Sequence, residues 1–302
     1  MIDRYLLRYF LAVVDNGTFS GGAAQANVSQ PTLSVGIAKL ERLLGTTLFQ
    51  RSSQRVHLTD AGTRFLTHAR RIEGAFNDAE LAGKGAKAMP LVRLGVLGSI
   101  ATDLIAAAYE RARLADSQAR VELVEGTERE LVSHVARGRV DAALTLVGRG
   151  GDRFLEEPLH EEGYALALPT SHPLGDEAVI AAEMLASEVM IVRRHCEALS
   201  ETSRHFTERG VRPFFALRST NDDKVLKMVA AGLGITVMPE GHCAPGVARP
   251  RMAGFTPRRT IGLLYAAHAE ALKQDVSPII DALRHVLGAR KQGGGKNGPG
   301  ST

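Results

Sequence analysis

The chain's only two thiols each follow a histidine, at His195-Cys196 and His242-Cys243. A cysteine at a helix start beside Arg194 and His195 would have its thiolate favoured and could react with oxidants. The two pairs could hold a metal if they met in space, but their separation matches no zinc spacing. No metal and no cofactor are expected, and buried, inert thiols are the plainer reading. Enzymatic chemistry finds less support. No G-x-S-x-G nucleophile motif occurs. Gly148–Gly151 (GRGG) lacks the P-loop pattern, and Gly232-Leu233-Gly234 alone signals a turn. Glu122, Glu125, Glu128 and Glu130 are most simply a solvated face. The chain is not expected to be an enzyme.

A second chemistry, hydrogen bonding and charge aimed at nucleic acid, is concentrated in residues 18–62. Gln30, Thr32, Ser34 and Lys39 lie off the apolar stripe of Leu33, Ile37, Leu40 and Leu44, and such groups suit base edges and phosphates. The elements that must position them follow from local physics. Thr18 caps a helix over Phe19–Ala26, and Asn27 stops it. Ser29 caps the next helix, Pro31 fits its first turn, and Gly45 ends it. Helix, tight turn and capped helix make a helix-turn-helix, whose second helix enters the major groove. Leu48-Phe49, the basic run Arg51-Ser52-Ser53-Gln54-Arg55 and the alternating Val56–Thr59 then read as a β-hairpin. Arg51, Ser53 and Arg55 at its tip would straddle the phosphate backbone. An ordinary helical hairpin and a solvated loop are the bland alternatives.

Residues 1–90 resemble the DNA-binding half of LysR-type transcriptional regulators. The resemblance rests on Phe10, Phe19-Ser20, Ala23-Ala24, Val28-Ser29-Gln30-Pro31, Leu33-Ser34, Leu40-Glu41, Gly45, Leu48-Phe49, Arg51 and Leu58-Thr59-Asp60-Ala61-Gly62. From about residue 91 the chain is similar to the family's regulatory half. Gly21-Gly22 and Gly36 depart from the pattern. Gly36 lies inside the recognition helix, where relatives often carry a longer side chain, so a base contact from that position is not expected.

Charge and composition agree. Residues 1–90 hold 11 Lys+Arg and 7 Asp+Glu, the remainder 26 of each, so the net +4 sits in the first part. That is the footprint of a phosphate-seeking module joined to a neutral one. The N-terminus has an early acid and no long apolar core, so no signal peptide is expected, nor any membrane span. A cytoplasmic protein follows.

Four segments are expected: a winged helix-turn-helix over 1–59, a linker helix and hinge over 60–90, an effector-binding domain of two α/β lobes over 91–290, and a disordered tail over 291–302. Phe65, Ala69, Ile72, Phe76 and Ala79 recur at four- and three-residue spacings, a seam for pairing with another helix; packing on the chain's own DNA-binding part is the alternative. The regulatory part alternates strand and helix as βαβαβ, which implies a parallel sheet. Two such lobes resemble a periplasmic-type solute-binding fold. A helix over Leu272–Leu287 closes it.

In open α/β sheets ligands sit beyond the carboxyl ends of strands, where helix N-termini favour anions. Ser99, Ile100 and Thr102, then Thr127, then Arg194, His195 and Cys196 follow three strands and would face one crevice. The family resemblance marks Ser99 and Thr127 as effector-touching positions; N-capping alone is the alternative. A small, carboxylate-like effector is expected. The resemblance also implies promoter DNA as partner and a homo-oligomer, a dimer or a dimer of dimers (a homotetramer). An oxidant-sensing branch of the family uses a reactive cysteine in a similar region, so thiol sensing at Cys196 is an alternative. Its partner cysteine lies shortly downstream, however, and residues 197–242 contain none. A small-molecule binding protein without regulatory role is the further alternative.

Overall fold

The computed structural model describes residues 1–51, 56–83, 91–116, 120–149, 154–266, 269, 273 and 277–293. Helix α1 (Arg4–Asn16) buries Leu6, Leu7, Phe10, Val13 and Val14 along one face and stops at Gly17, whose φ of 68° is left-handed. Helix α2 (Phe19–Gln25) starts where the Thr18 hydroxyl accepts from the Gly21 N–H at 3.1 Å. Asn27, at φ 53°, makes the turn. Helix α3 (Gln30–Leu44) starts at Ser29 with Pro31 in its first turn and ends at left-handed Gly45. Its Leu33, Ile37 and Leu40 pack with Phe10 in the first core. The wing is the antiparallel pair β1 (Phe49–Arg51) and β2 (Val56–Leu58), with Phe49 opposite Leu58.

Helix α4 (Asp60–Gly83) begins under a cap: the Thr59 hydroxyl accepts from the Gly62 N–H at 2.9 Å. The expected pairing seam on it needs correction in its first half. Ala69 is fully buried in the winged domain's own core, and Phe65 stands edge-on to Phe10 at 5.1 Å. Arg70 pairs with Asp15 of α1. The helix must cover its own domain before it can offer a face to another. Ile72 and Phe76 remain exposed, with the Arg4 guanidinium 4.9 Å from the Phe76 ring.

The first lobe opens with β3 (Val92–Leu97), α5 (Thr102–Ala115), β4 (Val121–Gly126), α6 (Glu128–Ala136), β5 (Ala142–Leu146) and β6 (Leu155–Glu162). Gly163 carries the chain into the second lobe. That lobe holds β7 (Tyr164–Pro169), β8 (Val179–Ile180), a single 3-10 turn over Ala182–Leu185, β9 (Val189–Arg193), α7 (Leu199–Glu208), β10 (Phe214–Ser219), α8 (Asp222–Ala230), β11 (Thr236–Pro239), β12 (Val247–Ala248) and β13 (Arg251–Met252). The chain returns to the first lobe as β14 (Arg259–Tyr265) and α9 (Pro278–Gly293).

The first sheet runs β4-β3-β5-β14-β6. The βαβαβ expectation holds for its three parallel strands, but β14 lies antiparallel to both β5 and β6, so the sheet is mixed. In the second lobe β7 is central, flanked by β11, β12 and β13, while β9 and β10 form a separate parallel pair. The closing helix starts at Pro278, later than expected, and runs to Gly293, so the segment read as a tail from 291 begins in helix; residues 294–302 lie outside the described part. No described helix is long and apolar enough to cross a membrane. Arg139 of the first lobe donates to the Val14 carbonyl at 3.3 Å, touching the end of α1.

Candidate nucleic-acid interface and effector cavity

The exposed face of α3 presents Gln30, Pro31, Thr32, Val35 and Lys39, with Ser34 half-buried. Ser29 and Thr32 share a hydroxyl–hydroxyl bond of 2.7 Å, and Gln30 Nε2 donates to Ser34 Oγ at 3.2 Å. Thr18 and Ser29 act as helix caps. Lys39 is turned back toward α1: its ammonium donates to the Tyr5 hydroxyl at 2.7 Å and lies 4.0 Å from Asp3. The bond to Tyr5 holds that ammonium above its ordinary pKa. Val35, 70% exposed, lies on the same outward face as these polar groups; its signal in the sequence is an apolar residue off the buried stripe. Gly36 proves not to face outward at all. A Cβ there would come 2.6 Å from Cδ2 of Tyr9, so its lack of a side chain admits the α1 ring and takes nothing from the DNA face. Of the wing residues, Arg51 ends β1 without a described side chain, and Ser53 and Arg55 lie outside the described residues.

The expected single effector crevice is two adjoining cavities. Ser99, Thr127, Arg194, His195 and Cys196 share one of about 320 Å³ between the lobes. Ile100 and Thr102 face the other, of about 650 Å³, with His195 on both. In the larger cavity the lobes touch: Thr102 Oγ1 donates to Asp223, at the start of α8, at 2.9 Å.

In the smaller cavity the two hydroxyls expected to meet ligand are already engaged. Thr127 makes a capping box with Glu130: its N–H and hydroxyl donate to the Glu130 carboxylate at 2.9 and 2.8 Å. Those bonds hold Glu130 below the usual carboxylate range. The N–H groups of Glu128 and Arg129 still lack helical partners, as first-turn donors do. Ser99 is no cap; α5 starts after Ala101, which makes no side-chain cap. Ser99 is buried, and Arg259 donates to its hydroxyl and its carbonyl, both at 3.0 Å. Arg149 pairs with Glu128 at 3.2 Å. Arg129 and Arg194, both exposed on the rim, have no side-chain partner among the described residues.

Beneath the cavity is a charge cluster that no spacing in the chain announced. Arg259, 1% exposed, binds Glu162 of β6 at 2.6 Å and also Glu197. Tyr164 donates to Glu197 Oε1 at 2.8 Å. These groups come from both crossovers between the lobes and from the loop before α7. Burial opposes ionisation of Glu197, but the Arg259 charge outweighs it and the carboxyl stays below its usual range. Behind it, buried Arg193 donates to Asp222 at 2.7 Å, and His242 Nε2 lies 3.5 Å from the same carboxylate. Burial disfavours the Asp222 charge, yet the bonds from Arg193 and His242 hold it well below the usual range, while burial pushes His242 down.

Cys196 stands between the polar cavity and an apolar one of about 400 Å³ walled by α7, β9 and β10, with Phe206, Val211 and Phe215 among its lining. Burial pushes its thiol up; Arg193 pulls it back, and Glu197 adds to the rise. Cys243 is exposed, and both cysteines are free. Among the described residues no group of three or more His, Cys, Asp or Glu is placed to hold a metal.

Comparison with known proteins adds the following. Residues 5–63 match the family described as bacterial regulatory helix-turn-helix protein, lysR family, and residues 86–288 match the LysR substrate binding domain. A Mycobacterium avium protein named "Probable hydrogen peroxide-inducible genes activator" is 31% identical over 274 residues, covering 86% of each chain. The DNA-binding transcriptional dual regulator OxyR of Escherichia coli (strain K12) is 28% identical over 287 residues, covering 92% of this chain and 93% of its own. Among solved structures, a full-length OxyR variant from Pseudomonas aeruginosa superposes with a TM-score of 0.66 at 23% identity, covering 94% of this chain and 95% of that one. Full-length BenM does so with a TM-score of 0.51 at 23% identity, covering 99% and 100%.

Proposed function

Because this chain belongs to the LysR family of DNA-binding transcriptional regulators, which join a promoter-reading helix-turn-helix to an effector-binding domain and act as oligomers, we propose that its smaller inter-lobe cavity takes a small anionic effector. One observation carries this: the cations Arg129 and Arg194, without a side-chain partner among the described residues, rim the cavity over the amino end of α6. That is where charge and open N–H groups together favour a carboxylate. On the DNA side, Gln30, Thr32 and Ser34 read base edges, Val35 packs against a thymine methyl, and Arg51 and Arg55 clasp phosphates across the wing. Lys39 joins them by exchanging Tyr5 for a phosphate. Ile72 and Phe76 of α4, with exposed Phe214 and Phe215 at the β10 edge, supply apolar surface for assembly. This role needs no catalytic turnover and assigns the chain to the cytoplasm.

A second reading is favoured by Cys196 in the same cavity wall and by the names of the peroxide-inducible relatives. In it the Cys196 sulfur attacks one oxygen of hydrogen peroxide, the O–O bond breaks, and sulfenic acid and water result. The raised thiol makes this the weaker reading.

The test is a gel shift of the full chain on DNA flanking its own gene, with a panel of small carboxylates and, separately, dilute peroxide. A sequence-selective shift that carboxylates alter, and that Arg194→Ala desensitises, is the expected result. A response to peroxide alone, abolished in Cys196→Ser, transfers the input to the second reading. No selective shift under any condition overturns the regulator role at that site. Binding should weaken with salt at a slope of about −0.9 per phosphate neutralised, and Arg55→Ala should flatten it.

A further inference from the structure

The cavity has a negative end as well as a positive one. Glu197 lines it, and its side chain is only 8% exposed. One oxygen, Oε1, receives Tyr164 and Arg259. The other, Oε2, is buried and accepts no hydrogen bond from any other described residue. A further bond to this carboxylate comes from Glu197's own backbone N–H, and a buried carboxylate oxygen short of donors is costly. Arg259 does not reach it, being divided among Glu162, Ser99 and Oε1. The exposed rim carries Arg129 and Arg194. A simple anion would satisfy the rim and leave the floor as it is. A molecule with a carboxylate at one end and a cationic N–H donor at the other satisfies both, and a volume of about 320 Å³ is of the size for a small metabolite.

We propose that the effector is a zwitterion of the amino-acid class, its carboxylate toward Arg129 and Arg194 and its ammonium donating to Glu197 Oε2. This rests on the anion-binding reading of the same cavity and narrows it. Because Glu197 also holds Arg259, which grips Ser99 in the first lobe and Glu162 at the crossover, an ammonium on Oε2 would draw on the charge that ties the lobes together. Ligand binding and lobe closure thus share one carboxylate.

The test is a thermal-shift titration of the full-length chain with the proteinogenic amino acids at millimolar concentration, each paired with the carboxylic acid lacking its amino group. At least one amino acid should bind about tenfold more tightly than its deamino partner, the range of one charge-assisted hydrogen bond. In Glu197→Gln that preference should vanish while affinity for the deamino acid is kept, a change of selectivity that loss of folding alone cannot produce. Wild-type protein that binds the two members of every pair equally, or only the deamino acids, overturns the zwitterion and leaves the anion reading standing. Wild-type protein that binds neither class overturns both. The wild-type comparison needs no variant, so an unstable Glu197→Gln does not obscure the result.

Discussion

Arg259 touches more of the site than any residue expected to touch effector. It binds two buried carboxylates and the Ser99 hydroxyl. Truncating it leaves Glu162 and Glu197 buried without their cation, a situation that costs about 3–5 kcal/mol. Arg259→Ala should therefore lower the urea midpoint of the effector domain by that equivalent, and Glu162→Gln should recover part of the loss. Acid should act through the neighbouring groups. His242 is depressed by burial, so the unfolded chain binds its proton first, and stability begins to fall as pH drops below about 6.5. Asp222 and Glu197 are held below their unfolded values, so their contribution is full above about pH 4.3 and is lost beneath it. Cys196 is raised, so its contribution fades above about pH 8.5. Stability against pH should peak between about 6.5 and 8.5, with His242→Gln flattening only the slope between about pH 6.5 and 5. A wild-type midpoint unchanged from neutral to pH 5 would contradict the buried neutral histidine.

Among the elements, those with local signals were legible. Thr18, Asn27, Ser29, Pro31 and Gly45 mark the helix-turn-helix because caps and left-handed turns depend on single residues. Strands β3 and β5 were legible as apolar runs because both their faces are covered. Strand β6 was not: Leu155–Glu162 carries four glutamates and Pro158, and no alternation reveals that Glu157 meets Arg284 while Glu162 meets Arg259. Strands β8, β12 and β13 are two residues each, too short for any period. The Arg259–Glu162–Glu197 cluster was invisible because its members lie far apart in the chain and meet only through the crossovers. The α4 seam was half legible, since a period of seven shows an apolar stripe and not what covers it. Its two halves should separate experimentally. Ile72→Glu should weaken self-association in sedimentation while sparing the melting of the winged domain. Ala69→Glu, placing a charge in the core, should unfold that domain first. Equal effects of the two on association would return Ala69 to the pairing face.

At the scale of the whole molecule, a positively charged reader is joined to a neutral sensor whose two lobes are held by the buried Arg259–Glu197 pair and by Thr102–Asp223. An effector can act on DNA only through different affinities for two arrangements of this assembly. A coupling of about 1–3 kcal/mol suffices to change promoter occupancy. The Arg139–Val14 contact is one place where the first lobe touches the reader within a single chain.

The path of the chain carries a consequence for how the protein is made. The second lobe is one uninterrupted stretch, while the first waits for β14, which lies between β5 and β6 and without which β6 has no neighbour in the sheet. On the ribosome, where domains form as units in order of emergence, the later lobe should close before the earlier one. Stalled nascent chains in which Met252 has just cleared the exit tunnel should already protect β7 from proteolysis and leave β6 open to cleavage, and release of the final helix should protect both. The sensor thus acquires its ligand-binding cleft only once β14 has emerged, and until then the emerged reader has no finished sensor to obey.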